Sequence, residues 1–294
     1  MPEEAAKSHQ STRPTTIRRY QAMLLMLPPP NDLRHWIQAG VILHGASDLR
    51  CTQFPAILES LLVVRVSGDV LPNADDTASL PQSALILPTT KFSSYAHAGA
   101  VHAVGLVLQP EVTSCLLRGS VEGLANSHLC LTDLFGDRFN LSVQEILDSE
   151  DDHTRIGILF EYFRRHLLTR RNESQRERLH GIRRTMTGDL GEACRIMRIG
   201  SRQLQRRCLA GYGVTPKQYQ TITRLQNTLK MALLSAPRRQ GSGIDFALEN
   251  GFFDQSHMAR DLRRMAGISL RELPDRSSIS GTPFWPLTVG TALP

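Results

Sequence analysis

Apolar positions divide the chain into two parts with different periodicity. Between residues 33 and 131, short apolar runs rich in Val, Ile and Leu alternate with Gly, Pro, Asn and Asp. Such runs are typical of strands, and they predict strands at 36–43, 58–66, 84–87 and 101–108, with an exposed loop at 67–76. From residue 190 onward, apolar residues recur at intervals of three and four, which predicts amphipathic helices.

The clearest helical pattern lies in residues 244–267, which predict two short helices joined by a sharp turn. Gly251 stands where the first helix must stop, and Phe252 can then pack into the corner between the helices. Met258, Leu262 and Met265 form the apolar face of the second helix. Its other face carries donors suited to base edges and phosphates, namely Gln255, Ser256, His257, Arg260, Arg263 and Arg264.

A similar pair of helices precedes it, predicted at 190–197 and 201–209 with a turn between them. The polar side chains of its second helix are Arg202, Gln203, Gln205, Arg206 and Arg207. Thr215 as N-cap and Pro216 at the first helical position then begin a connecting helix that runs to about residue 234. About 19 helical residues span roughly 28 Å, close to the roughly 34 Å that separate successive major grooves of B-DNA.

Positive charge is concentrated in this helical part of the chain. Residues 170–276 contain 21 Lys and Arg against 10 Asp and Glu, whereas residues 1–169 contain 13 against 18. This distribution is expected when only the C-terminal part meets a polyanion. Because the excess of basic residues coincides with the two helix pairs, we expect this part to bind double-stranded DNA.

Three segments carry glycines, capping residues, apolar positions and basic positions in one order. They are Arg202-Gln-Leu-Gln-Arg-Arg-Cys-Leu-Ala-Gly-Tyr-Gly-Val-Thr-Pro-Lys-Gln-Tyr219, then Arg224-Leu-Gln, and then Gly251-Phe-Phe-Asp-Gln-Ser-His257 continuing to Gly267-Ile-Ser269. This order resembles the DNA-binding domain of AraC/XylS-type transcriptional regulators. The chain departs from the family pattern at Cys194, Arg198, Gly200 and Cys208, where the family usually has Ala, Gly, Ser and Phe.

The resemblance implies a double helix-turn-helix domain in which the helices containing Leu204 and Met258 are the recognition helices. By position, the candidate DNA-binding residues are Arg202, Gln203, Gln205, Arg206, Lys217, Gln255, Ser256, His257, Arg260 and Arg264. Arg202 or Arg206 is suited to guanine and Gln205 or Gln255 to adenine. The residues expected to contact only phosphates are Lys217, Arg224, Arg263 and Arg264.

The N-terminal part carries a second, shorter resemblance, in Val104-Gly-Leu-Val-Leu-Gln-Pro110 and Leu131-Thr-Asp-Leu-Phe-Gly136. These segments are similar to the sensor-like N-terminal domains of some AraC-type regulators, which implies a cupin-like domain that senses an effector or a partner. A predicted helix at 148–169 follows, with an apolar stripe formed by Ile156, Leu159, Phe160, Phe163 and Leu167. Two interpretations remain: the stripe packs on its own domain, or it forms a homodimer interface.

Metal sites and catalytic constellations are not predicted. The five cysteines are scattered singly, which fits neither a disulfide framework nor a zinc site and is consistent with a reducing cytoplasm. His44, His97 and His102 are too far apart for a His-x-His pair and have no nearby Glu, so we expect no metal site. There is no phosphate loop, nucleophile elbow or dinucleotide fingerprint, no cofactor is expected, and no apolar run is long enough to span a membrane.

The sequence therefore predicts an α+β multidomain protein. The expected parts are a flexible arm at 1–30, a β-rich sandwich or barrel at 31–170 that ends in an amphipathic helix, an all-α DNA-binding domain at 171–275, and a flexible tail at 276–294. The expected function is that of a nonenzymatic regulator that binds specific DNA sequences, responds to an unknown small-molecule effector and contacts RNA polymerase. One alternative is a DNA-binding antagonist or architectural protein that acts through a partner regulator. Another is a DNA-repair alkyltransferase, which the isolated cysteines argue against.

Overall fold

The N-terminal part is built on an antiparallel sheet and the C-terminal part is helical, which confirms the predicted fold class. The computed structural model describes residues 22–47, 50–72, 78–235 and 243–272. The predicted tail at 276–294 and most of the predicted arm lie outside these residues. Among the described helices, none is both long enough and apolar enough to cross a membrane.

Strand β6 is the centre of the sheet. The strands are β1 (Ala22–Leu27), β2 (Ile37–Gly45), β3 (Cys51–Phe54), β4 (Ser60–Leu71), β5 (Ser83–Ile86), β6 (Ser93–Leu108) and β7 (His128–Cys130). They are hydrogen-bonded in the order β1-β2-β6-β4-β5-β7, and β3 pairs with the first residues of β6. Every pair is antiparallel, so β6 receives β2 and β3 along one edge and β4 along the other.

The prediction of a flexible arm at 1–30 is wrong for residues 22–27. These residues form β1, which pairs with β2 from Ala22 opposite Gly45 to Leu27 opposite Gly40. Three prolines follow β1. Since proline lacks the N–H that a strand ladder needs, they end the strand without preventing it. The predicted loop at 67–76 is also wrong in its first half, because β4 continues to Leu71 through register shifts near Ser67.

Helices cover the sheet and then continue into the C-terminal part. They are α1 (Val112–Leu116), α2 (Leu131–Phe135), α3 (Asp137–Asp148), α4 (Asp152–Leu167), α5 (Arg170–Thr185), α6 (Leu190–Met197), α7 (Ser201–Tyr212), α8 (Pro216–Ser235), α9 (Gly243–Glu249) and α10 (Gln255–Ala266). A single 3-10 turn at Asn31–Leu33 precedes β2.

The apolar stripe of α4 packs on its own domain. Ile156, Leu159, Phe160, Phe163 and Leu167 are all buried in the core formed with the sheet and with α3. The stripe is therefore not available to a second chain, and the first of the two interpretations is correct.

A second core holds the helical part together. It is formed by apolar residues of α5 to α10, such as Leu204, Tyr212, Leu225 and Met258, and by Ala56 and Leu58 from the sheet part. Helix α5 begins at Arg170, and its Leu179 and Ile182 enter this second core. The two parts are thus connected by a continuous helix that belongs to both.

His44, His97 and His102 were expected to be too far apart in the sequence for a His-x-His pair, and the fold brings two of them together. His44 in β2 and His102 in β6 are register partners on neighbouring strands, and their rings stack with centroids 4.2 Å apart. Asp152, at the start of α4, supplies the carboxylate that the sequence did not place near them. His97 is separate: it is buried, and its Nε2 lies 3.0 Å from Thr52 Oγ1.

Candidate nucleic-acid interface

The first helix-turn-helix unit consists of α6, a three-residue turn and α7. Asp189 caps α6 by accepting a hydrogen bond from the Glu192 backbone N–H at 2.8 Å. Arg198 ends α6 in the left-handed conformation, at φ 50°, where glycine would be unstrained. Gly200 precedes α7 and has no side chain with which to cap it. Helix α7 is therefore stabilised mainly through its buried side, where Cys208 Sγ contacts Met186 Sδ at 3.3 Å.

The opposite side of α7 is open to solvent. Arg202, Gln205 and Arg206 are exposed and Gln203 is half-buried. Neither arginine forms an ion pair with another described residue. Their guanidinium groups can thus bind guanine edges or phosphates without first breaking an internal contact.

The second helix-turn-helix unit has the stronger turn. Gly251 takes φ 75° after α9, and Phe252 is buried in the corner, as predicted from the sequence. Asp254 caps α10, because its Oδ1 accepts a hydrogen bond from the His257 backbone N–H at 2.6 Å. The unit therefore has both the left-handed glycine and the capping carboxylate that fix the angle between its helices.

Arg224, which was predicted to contact phosphates, braces this turn. Its Nη1 donates to the Gly251 carbonyl at 3.1 Å and its Nη2 to Asp261 Oδ2 at 3.3 Å. Its guanidinium carbon lies 4.6 Å from the centroid of the Phe252 ring. The side chain connects α8 to the turn and to α10. Sequence spacing did not show these contacts, because they join residues 27 and 37 positions apart.

Asp261 also holds two of the predicted DNA-binding residues. His257 Nε2 lies 3.6 Å from Asp261 Oδ2, and its half-buried ring packs edge-on against Phe252. Arg264 Nη2 donates to Asp261 Oδ1 at 2.9 Å. Asp261 was missed by sequence reasoning, although a single acidic residue among the basic residues of α10, spaced three and four from these partners, was a usable signal.

Three predicted residues of α10 remain on its outer surface. Gln255, Ser256 and Arg260 are exposed, and Arg260 Nε donates to the Ser256 carbonyl at 3.4 Å. The fold thus keeps Arg260 and Ser256 together on the side of α10 that faces away from the core.

Lys217 is exposed in the first turn of α8, beside the first unit. A reciprocal cap fixes that turn: Thr215 Oγ1 accepts from the Gln218 backbone N–H at 3.2 Å, and Gln218 Oε1 accepts from the Thr215 N–H at 2.9 Å. Lys217 and Gln205 line the same shallow depression between α7 and α8. A phosphate bound by Lys217 would lie near the outer face of α7.

The sheet part contacts the DNA-binding part at several places. The Ala56 backbone N–H donates to the Met265 carbonyl at 2.7 Å, at the end of α10. The Val121 N–H donates to the Ala210 carbonyl at 3.0 Å, near the end of α7. Helices α7 and α10 are therefore both hydrogen-bonded to the sheet part near their C-terminal ends.

Two buried carboxylates lie at this junction. Burial raises the pKa of Glu59, and a hydrogen bond of 2.5 Å from Gln226 in α8 opposes the rise. Glu111, at the start of α1, pairs with His180 at 3.2 Å and with Arg183 at 3.1 Å, both in α5. The ion pairs of Glu111 tie the sheet part to α5, and the hydrogen bond of Glu59 ties it to α8.

Comparisons with known proteins agree with this geometry at the C-terminal end. Residues 193–276 match the family model described as a helix-turn-helix domain. No curated protein matches the chain.

Several solved structures of ToxT from Vibrio cholerae align with most of the chain. The 1.65 Å structure of the P21 form is 9% identical, with 80% of this chain and 97% of that chain covered and a TM-score of 0.43. The unsaturated fatty acid-bound protein from strain SCE256 is 12% identical, with 79% and 93% covered and a TM-score of 0.44.

Helices α6 and α7 form one pair and α9 and α10 form the other, and α8 joins the two pairs. The second helix of each pair presents an exposed polar face. This C-terminal domain is a helix-turn-helix domain of the AraC type.

Proposed function

We propose that the chain recognises a specific DNA sequence by placing α7 and α10 in successive major grooves on one face of the duplex. The exposed, unpaired donors of α7 are the observation that carries this proposal. Helix α8 has 20 residues and is therefore about 30 Å long, close to the roughly 34 Å repeat of the major groove.

The proposed contacts divide into two groups. Arg206 and Arg260 lie on the outer faces of α7 and α10 and read base edges, together with Arg202, Gln205, Gln255 and Ser256. Lys217 binds phosphate and sets the register of the first unit. His257 and Arg264 support α10 from its side through Asp261.

We also propose that the sheet domain adjusts DNA binding in response to an effector or a partner, in a nonenzymatic protein of the cytoplasm. The junction supports this proposal, because hydrogen bonds from Ala56 and Val121 reach the ends of both recognition helices. A change in the sheet domain that moved these loops would change the relative orientation of the two helices.

The DNA-reading proposal is tested with oligonucleotides selected by the full-length protein from a random pool. Fluorescence anisotropy would then give the dissociation constants for the selected and for a scrambled duplex. Arg206→Ala and Arg260→Ala are each expected to lower specific affinity by about 1–3 kcal/mol, and nonspecific affinity much less. Arg165→Ala is the matched control, because this exposed arginine lies in α4 of the sheet domain.

Equal losses on both duplexes would move Arg206 and Arg260 to the phosphate-binding group. If no sequence is selected and the protein binds every duplex with a salt-sensitive affinity, sequence-specific recognition itself is contradicted.

Coupling between the domains has a separate test that does not require the effector. Because coupling between two sites is reciprocal, binding of the selected duplex should change hydrogen exchange in the 55–59 segment of the sheet domain. The matched comparison is the 128–135 segment, which belongs to the sheet domain's own core. Unchanged exchange at 55–59 would contradict the coupling and leave DNA reading intact.

A further inference from the structure

A cluster of two histidines and one carboxylate lies on the sheet domain, outside the DNA-binding surface. His44 and His102 face each other across β2 and β6, with ring planes 20° apart and centroids at 4.2 Å. The rings are stacked, so the Nε2 atoms of both can point in one direction. The direct register pairing of the two strands fixes this arrangement.

Asp152, the first residue of α4, completes the cluster. Its Oδ2 lies 2.8 Å from His44 Nε2 and its Oδ1 lies 2.8 Å from His102 Nε2. One potential ligand atom from each of the three residues lies within 4.8 Å of the other two. Among the described residues, this is the cluster whose spacing suits a bound metal ion.

We propose that His44, His102 and Asp152 bind a divalent first-row transition-metal ion such as Zn²⁺. Two imidazole nitrogens and one carboxylate oxygen are ligands that these ions prefer, whereas Ca²⁺ and Mg²⁺ prefer oxygen alone. Adjacent ligands about 2.1 Å from such an ion are separated by about 3.0–3.4 Å. The two 2.8 Å separations, which involve different oxygens of Asp152, need to widen by a few tenths of an ångström, and one ligand atom from each of the three residues already lies within 4.8 Å of the others.

The surroundings hold the carboxylate in place. Arg155 Nη1 donates to Asp152 Oδ1 at 2.6 Å, and the same guanidinium is fixed by the carbonyls of Ile146, Ser149 and Glu150. An outer-shell donor of this kind orients a metal-binding carboxylate. Its positive charge also opposes a cation nearby, so the site should bind more weakly than a structural zinc site with four protein ligands.

Solvent can reach the cluster from one side. The side chain of His44 is 43% exposed, whereas His102 and Asp152 are 18% and 19% exposed. An ion can therefore enter past His44, and water can fill the coordination positions that the protein leaves open. With an ion bound, the N-terminus of α4 would be attached to the centre of the sheet.

The test uses the full-length protein after removal of metals with a chelator. Equilibrium dialysis against Zn²⁺, followed by elemental analysis, should give one ion per chain for the parent. Asp152→Asn and His102→Asn should each weaken binding about tenfold or more, since losing a ligand costs at least as much as losing an outer-shell partner. His153→Asn is the matched control, because His153 is exposed, lies next to Asp152 and is not in the cluster.

Co²⁺ provides a second readout that identifies the ligands. Binding through histidine and carboxylate gives visible ligand-field bands without the intense near-ultraviolet absorption of a cobalt–thiolate bond. Circular dichroism of each variant checks that the fold is retained. The parent protein should also unfold at a higher temperature with Zn²⁺ present, and Asp152→Asn should lose most of that increase.

Three results would overturn the proposal. They are no stoichiometric binding by the parent, equal binding by the parent and His102→Asn, and thiolate absorption that accounts for all the bound Co²⁺. Each of them is independent of DNA binding, so the DNA-reading proposal would be unaffected.

Discussion

Replacing Arg224 with Met tests whether the second helix-turn-helix unit depends on the brace from α8. The substitution keeps an unbranched side chain of similar length and removes the guanidinium. It therefore breaks the contacts to the Gly251 carbonyl, to Asp261 and to the Phe252 ring, while leaving most of the apolar packing of the stem.

The expected loss in the free energy that stabilises the second unit is the sum of those three contacts. The hydrogen bond to the carbonyl contributes about 1 kcal/mol, and the contact with the ring about 0.5 kcal/mol. The bond to Asp261 also contributes about 1 kcal/mol, discounted because the Arg224 side chain is 28% exposed and because Arg264 still pairs with the carboxylate. The total is about 2–3 kcal/mol, or about 30- to 150-fold in the opening equilibrium.

Hydrogen exchange followed by mass spectrometry measures this loss locally. Peptides from α9 and α10 should exchange about 30- to 150-fold faster in Arg224→Met, and peptides from α3 should not change. Arg195→Met is the control, since Arg195 is 75% exposed and, among the described residues, pairs with Glu192 of its own helix. Exchange in α9 and α10 that is no faster than in Arg195→Met would refute the bracing role of Arg224.

Three further predictions concern stability and reactivity. Burial lowers the pKa of His97 from 6.5 to about 4. The neutral ring therefore contributes its full stability above pH 6.5, and this contribution is lost as the pH falls towards 4. The urea midpoint should consequently decline less between pH 7 and pH 4.5 in His97→Gln than in the parent protein. Burial raises the pKa of the Cys208 thiol to about 12. Alkylation at neutral pH, followed by peptide mapping, should therefore label the half-exposed Cys51 well before Cys208. The reverse order of labelling would contradict this prediction. Gly105→Ala places a Cβ 2.3 Å from a backbone oxygen of β4 and should lower the free energy of unfolding by about 1–3 kcal/mol or more. Gly157→Ala, in open space on α4, should raise it by about 0.5–1 kcal/mol. Thermal unfolding of both variants tests whether the two changes have opposite signs.

Periodicity was sufficient for the elements whose pattern is local. The helix pairs of the C-terminal domain, the connecting helix and the positions of Gly251 and Phe252 follow from apolar spacing, capping residues and glycine. Parts of the long central strands were also predicted, because a run such as 101–108 is apolar apart from His102 and Gly105, although β6 begins earlier, at Ser93. β3 and β7 were not predicted, since both are short, partly exposed and defined by their pairing with β6 and β5.

Contacts between distant segments could not be read from spacing. His44, His102 and Asp152 are separated by more than fifty positions on average, and only strand pairing and the start of α4 bring them together. Arg224 was likewise predicted to contact DNA, because the sequence shows its charge but does not show its hydrogen bond to Asp261. In both cases the sequence gives the chemistry of each side chain, and the tertiary fold decides its partner.

The spacing of the two recognition helices on DNA is the central claim, and hydroxyl-radical footprinting of the full-length protein on its selected duplex tests it most directly. The account predicts two protected segments on one face of the duplex, about one helical turn apart. Arg206→Ala should weaken one segment and Arg260→Ala the other. A single protected segment that both variants weaken equally, or uniform protection along the duplex, would contradict it.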